Sequence, residues 1–228
     1  MHEFSPHLEV LPAAQRTLWA ELSAVPSEFV LYGGTALALH LGHRESVDFD
    51  FFGNRPFDLP VLETRISFLS GARIVQREKN TLTAIIDRGG EVKVSFFGVP
   101  KLPRLAPPHI AQDNGLGIAS LIDLAGTKAS VVQMRAEAKD YRDIDALLTL
   151  GKVSLPTALA AAQKLYGPSF NPEITLKALS YFGEGDLRTL SEETKNRLVV
   201  AARDVDLEHL PDIDKSSVKK GRDLGYGL

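Results

Sequence analysis

Asp48 and Asp50 stand one residue apart in the run "SVDFDFF", and thirteen residues separate Asp48 from the second glycine of "LYGGTALALHLG". On a strand, alternate side chains share a face, so both carboxylates project together while Val47, Phe49 and Phe51 pack on the other side. Two like charges held that close need a counter-cation, and an all-oxygen pair favours Mg2+ or Mn2+. The glycines Gly33 and Gly34 supply a second piece of chemistry. A glycine pair ahead of a helix lets a ligand approach the backbone where the first helical amides attract phosphate, and Thr35 adds a hydroxyl. A metal clamp beside a phosphate cradle suits phosphoryl or nucleotidyl transfer. The rival explanation is structural: a salt bridge from Arg44 or Lys93 would also neutralise the aspartates.

These residues need elements to hold them. "EFVLYGG" reads as a short buried strand ending in a tight turn, Thr35 to Leu41 as a helix stopped by Gly42, and "SVDFDFF" as the next strand. Ahead of them, Leu8, Leu11, Leu18, Leu22 and Val25 mark an amphipathic helix closed at Pro26. "DLPVLETRISFLSG" follows as a helix capped by Asp58, with Pro60 in its first turn. "RIVQREKNTLTAIIDRGGEVKVSFFG" reads as antiparallel strands turning near Lys79-Asn80 and Gly89-Gly90. Four prolines between Pro100 and Pro108 mark an extended linker. Beyond it, Ser120 to Asp123 forms a capping box opening some thirty residues of helical period without proline, and the chain stays helical to about 210, with stops at Gly167-Pro168 and Gly183 to Gly185. The tail "DKSSVKKGRDLGYGL" is polar and reads as frayed or docked in part. Trp19 is expected in the core, and His40 and His43 at the surface or behind the site. The fold class is α+β: a mixed sheet with flanking helices over residues 1–105, and a helical domain over 106–228.

With 228 residues, 44% of them hydrophobic, the chain can bury a sizeable core. The lack of any cysteine excludes disulfides and thiolate metal sites. The first residues lack the basic start and apolar core of a signal peptide, and no run reaches membrane-span length, so a soluble, cytoplasmic protein with no membrane partner is expected. A formal charge of -3 gives no general attraction to nucleic acid; a polyanion must be met by a local basic patch.

The order hydrophobic, Gly, Gly, thirteen residues, Asp, hydrophobic, Asp resembles the signature of the DNA polymerase β-like nucleotidyltransferases. The wider wording, with Arg44 and Ser46 before the aspartates, is closer still to the AbiEii-type abortive-infection toxins of type IV toxin–antitoxin systems. "TKASVVQMRAEAKDYRDIDALL" supplies Lys128, Arg135, Lys139-Asp140 and Asp143 in the order of a later motif of that family. The spacing of Lys128, Arg135 and Lys139 predicts one face of one helix, which a plain solvated stripe would also explain.

The resemblance implies a nucleotidyltransferase-like sheet and a reaction moving NMP from NTP to a hydroxyl, on an RNA end such as tRNA or on a protein, with a cognate antitoxin as partner. Asp48 and Asp50 would hold Mg2+ (or Mn2+). Gly33, Gly34, Thr35, Arg44, Ser46, Lys93 and Arg135 would bind nucleotide. Lys128 would contact phosphate, and Asp140 would act as a site carboxylate or hold the basic residues in place. One position departs from the superfamily: a third carboxylate is expected after Lys93-Val94, where this chain has Ser95. Glu91 lies about 13 Å away along an extended strand, too far to substitute. The alternative reading is therefore a scaffold that binds nucleotide or a partner without catalysis.

Overall fold

A computed structural model describes residues 3–100 and 103–213, in two compact units. The first unit takes the chain up to Pro103 and again over Pro107–Ala119; the second takes Arg104–Ala106 and the chain from Ser120 onward.

Along the first unit run β1 (Glu3–Phe4), α1 (Ala13–Trp19), β2 (Phe29–Tyr32), α2 (Gly33–Leu41), β3 (Asp48–Gly53), α3 (Leu59–Arg65), β4 (Arg73–Glu78), β5 (Thr81–Asp87), β6 (Glu91–Gly98), β7 (His109–Ala111) and β8 (Gly117–Ile118). The described strands form one mixed sheet in the order β1-β7-β8-β2-β3-β6-β5-β4. β3 lies at its centre, antiparallel to β2 and parallel to β6. Phe49, Phe51, Val94, Phe96, Leu82 and Ala84 alternate along β3, β6 and β5 and are all buried, so one sheet face is core and the residues between them point to the other. Phe51 stacks on Phe96 with ring centroids 5.1 Å apart. Trp19 is buried as expected, and its indole N–H donates to Asp113 at 2.6 Å.

The second unit contains α4 (Leu121–Val131), α5 (Ala138–Thr149), α6 (Leu155–Tyr166), α7 (Pro172–Ala178) and α8 (Glu192–Arg203). Ser120 caps α4 by accepting from the Asp123 amide at 3.2 Å. The Asp123 carboxylate accepts from the amides of Leu105 and Ala106, tying that short strap to α4. Burial pushes the Asp123 carboxyl up despite these bonds.

Several sequence expectations are displaced. The opening helix is not continuous: Pro12 lacks an amide proton and holds Leu11 extended, so α1 starts only at Ala13 and tightens into a 3-10 turn over Ala20–Ala24. Val47 lies ahead of β3 and is 61% exposed rather than packed. The single helix expected after Ser120 is broken between Val131 and Ala138, where Glu137 is extended and the Ala138 amide donates to Asp186 at 2.6 Å. Good helix formers at 132–137 are overridden by tertiary contacts. The boundary drawn at 105 also shifts, because β7 and β8 return the chain to the first sheet, Ile118 pairing with Leu31. Strands of two or three residues leave no alternation to read. The polar tail from Asp214 lies outside the described residues. Among the described residues no helix is long and apolar enough to cross a membrane.

His40, expected at the surface or behind the site, instead packs in the first unit, its ring centroid 4.5 Å from that of Phe4 and 5.1 Å from that of His109. Its Nε2–H donates to the Ala119 carbonyl at 2.8 Å. Burial, with lesser contributions from His109 and His7, pulls its pKa down to about 4. Because the folded value lies below the unfolded one near 6.5, the unfolded chain takes the proton first as pH falls. The stability held above pH 6.5 is thus lost down to about pH 4, by up to about 3 kcal/mol. Urea melts across this range should show the slope, and His40→Gln should flatten it; an unchanged slope would exclude His40 as its source.

Candidate functional site

The register of β2, β3 and β6 assembles most of the first-unit candidates on one sheet face. Asp50 pairs across β2 with Tyr32 and across β6 with Ser95, and Asp48 pairs with Lys93. Asp48 and Asp50 are half-buried and point away from the phenylalanine core. Tyr32 is the residue just before α2, so the strand pairing that aligns it with Asp50 also brings the glycine turn to the carboxylates.

That approach is close enough to require glycine. Gly33 has a φ of +77°, and a Cβ there would lie 3.2 Å from Asp50 Oδ2. A Cβ on Gly34 would lie 2.5 Å from Arg44 Nη2 and 3.2 Å from Ser46 Oγ. Arg44 and Ser46 therefore sit directly over the glycine turn. Tyr32 provides no side-chain cap for α2, so the helix presents its first amides without a side-chain acceptor from that position. The Thr35 hydroxyl has a different use: it lies 2.9 Å from Ser46 Oγ and donates to the Asp48 carbonyl, locking the turn to β3 from inside. Gly34→Ala is expected to displace the Arg44 guanidinium and weaken nucleotide binding at least about tenfold, with a melting temperature close to wild type because only a flexible side-chain end must move. Calorimetric titration beside a thermal melt checks both halves; unaltered affinity would remove Arg44 from the cradle.

The ion pair offered as the rival to metal is present: Lys93 Nζ lies 3.1 Å from Asp48 Oδ2. Both side chains are partly exposed, so water screens the pair and it does not exclude a cation from the remaining carboxylate oxygens. Ser95 is buried and accepts from the Thr83 hydroxyl at 3.3 Å. Thr83 is set opposite Ser95 by the β5–β6 register, which the alternation of "TLTAII" alone does not give. Oxygen donors on one strand face, beside a glycine turn with Asp50, Arg44 and Ser46 set close against it, fit a hard divalent cation and a phosphate chain.

The second-unit candidates form a separate constellation. Lys128 Nζ lies 2.8 Å from Asp140 Oδ1 and 2.5 Å from Asp143 Oδ2, with Lys128 6% exposed and both carboxylates fully buried. Arg135 donates to Asp140 through Nε at 2.7 Å and Nη2 at 3.2 Å. Burial alone would push the Asp140 carboxyl up, but the Arg135 hydrogen bonds and the Lys128 charge outweigh it and hold it below the usual range. The one-face expectation fails here, because Lys128 is on α4, Arg135 is in the break and Lys139 is on α5, where it pairs with Glu137 at 2.6 Å. Arg135, 45% exposed, borders a recess of about 450 Å3 whose lining includes Met134, Tyr141, Lys177 and Tyr181.

Residues 16–215 match the family model described as nucleotidyl transferase AbiEii toxin, type IV toxin–antitoxin system. The chain belongs to this family. An uncharacterised protein of Aquifex aeolicus strain VF5 is 35% identical over 158 residues, 68% of this chain and 74% of that protein. Two solved structures share the fold. An H. pylori protein assigned as a nucleotidyltransferase superposes with a TM-score of 0.51 at 17% identity, covering 94% of this chain and 97% of that one. MenT4, a nucleotidyltransferase toxin of Mycobacterium tuberculosis H37Rv, superposes with a TM-score of 0.55 at 14% identity, covering 95% and 90%. For an AbiEii chain, the α+β class and the mixed sheet read from the sequence are those of its structural neighbours.

Proposed function

We propose that this AbiEii-family protein transfers a nucleoside monophosphate from NTP to a hydroxyl on an RNA end or a protein, as a cytoplasmic toxin restrained by a cognate antitoxin. The observation carrying this reading is the close approach of the glycine turn to Asp50, with Gly33 set against Asp50 Oδ2 and Gly34 under Arg44 and Ser46. It joins a phosphate cradle and a cation clamp on one face of one sheet.

In this reading Asp48 and Asp50 hold Mg2+ or Mn2+, which when bound would draw charge from the triphosphate as the leaving pyrophosphate forms. The amides of Gly33 and Gly34 meet phosphate oxygens, Arg44 and Ser46 orient the chain over them, and Thr35 fixes the turn against β3. Lys93 steadies Asp48 in its rotamer. Within the second unit, Arg135 is the partly exposed cation of the cluster, while Lys128 is held by Asp140 and Asp143. Asp140 then serves as the anchor of the basic residues.

Incubation with each α-labelled NTP, Mg2+ and separate RNA and protein pools tests the reaction. Label on one pool with pyrophosphate release is expected. The Lys93–Asp48 pair and the Ser95–Thr83 pair favour a second reading, a scaffold that binds nucleotide without transfer. Metal-dependent NTP binding with no pyrophosphate, in Mg2+ and in Mn2+ and with both pools, would decide for the scaffold.

A further inference from the structure

Two divalent cations working about 3.5–4 Å apart need a bridging carboxylate and further anionic oxygens on either side. The first unit falls short of that set. Among the described residues no three His, Asp or Glu side chains lie together in a metal-holding group, so Asp48 and Asp50 stand as a pair. One oxygen of that pair already faces an ammonium, with Lys93 Nζ 3.1 Å from Asp48 Oδ2. The contact is built into the sheet, because the β3–β6 register sets Lys93 opposite Asp48. The next position on the same face, opposite Asp50, is Ser95, 2% exposed and hydrogen-bonded to Thr83. A neutral, buried and already bonded hydroxyl is a poor donor for a hard dication.

Charge leads to the same place. Asp48 and Asp50 contribute two negative charges, and Lys93 on Asp48 with Arg44 over Gly34 contributes two positive ones. A first dication can enter together with the strongly anionic triphosphate. A second would have to displace the Lys93 ammonium from its carboxylate, since among the described residues no third acidic or histidine side chain joins the pair to receive it.

We propose that the site takes a single divalent cation with the nucleotide, and that Lys93 fills the electrostatic place of a second. Lys93 is thereby a positioning residue: it holds one Asp48 oxygen and leaves the other to the bound ion. This rests on the nucleotidyltransferase reading above. It adds a metal stoichiometry, and the work of activating the attacking hydroxyl then falls to a protein group or to water.

Electron paramagnetic resonance of Mn2+ with the full chain and a non-hydrolysable NTP analogue reads the number directly. Wild type is expected to bind one Mn2+ per chain with the uncoupled six-line spectrum of an isolated ion. An exchange-coupled pair in wild type would overturn the single-cation proposal while leaving the nucleotidyltransferase reading intact. No protein-bound Mn2+ at all would overturn both. The Lys93→Met, Ser95→Asp double variant, checked for folding by circular dichroism, is expected to gain a second, coupled ion. If it folds and still binds one, Lys93 and Ser95 do not set the count. Should the double variant fail to fold, Ser95→Asp alone replaces it, with a second, weaker Mn2+ expected and its absence counting against the assignment to Ser95.

Discussion

Asp48→Asn and Asp50→Asn should each lower Mg2+-dependent transfer by at least about a hundredfold while leaving the fold in place, since losing one charged oxygen from a bound dication removes several kcal/mol of transition-state stabilisation. Asparagine keeps the shape and the β3 alternation but not the charge. In Asp48→Asn the Lys93 ammonium loses its partner, yet Lys93 is partly exposed and hydrated, so the stability change should stay within about 1 kcal/mol. In Asp50→Asn the carboxylate oxygen that faces Gly33 loses its charge, so metal affinity should suffer while repulsion of a metal-free triphosphate is relieved. Calorimetry with each NTP, with and without Mg2+, separates the two components. Both variants should lose metal-dependent binding, and neither should weaken the metal-free component. Wild-type affinity and turnover in Asp48→Asn would sink the carboxylate clamp.

Much of the first-unit site is legible in the sequence because its logic is local. The glycine turn, the helix and the Asp-x-Asp strand occupy Gly33 to Gly53, and period two fixes which face the acids take. The hairpins of β4, β5 and β6 are equally legible, their turns falling where Lys79-Asn80 and Gly89-Gly90 announce them. What was hidden depends on partners distant in the chain. Thr83 gains its meaning only through strand register, Thr35 turns inward because Ser46 and the Asp48 carbonyl are there to meet it, and β7 and β8 exist because β2 offers an edge to pair with. Most instructive is the break before Ala138. Residues with good helix propensity leave the helix so that Arg135 can reach Asp140 from a direction that a helix face shared with Lys128 would not allow.

That ion cluster carries the second large expectation. Lys128→Met should destabilise the protein by about 3–5 kcal/mol, because it strips an ammonium from two carboxylates that are 0% exposed while Met matches the lysine stem in length. Asp140 keeps its Arg135 hydrogen bonds, which offset part of its loss. Acid should amplify the effect. The folded-state Asp140 carboxyl is held below its usual range, so it contributes stability above pH 4 that is lost as pH falls through its folded value. Without Lys128 that value rises, and acid unfolding should begin at a higher pH. Adding Asp143→Asn to Lys128→Met removes one of the two carboxylate charges that faced the lysine and should recover part of the loss, as expected when both halves of a buried pair are neutralised. Urea melts of the two variants at pH 7 and pH 5 settle the matter. A Lys128→Met protein with an unchanged melt but no nucleotide binding would show that Lys128 works on phosphate, and the cluster would then be a store for that lysine rather than a brace between α4 and α5.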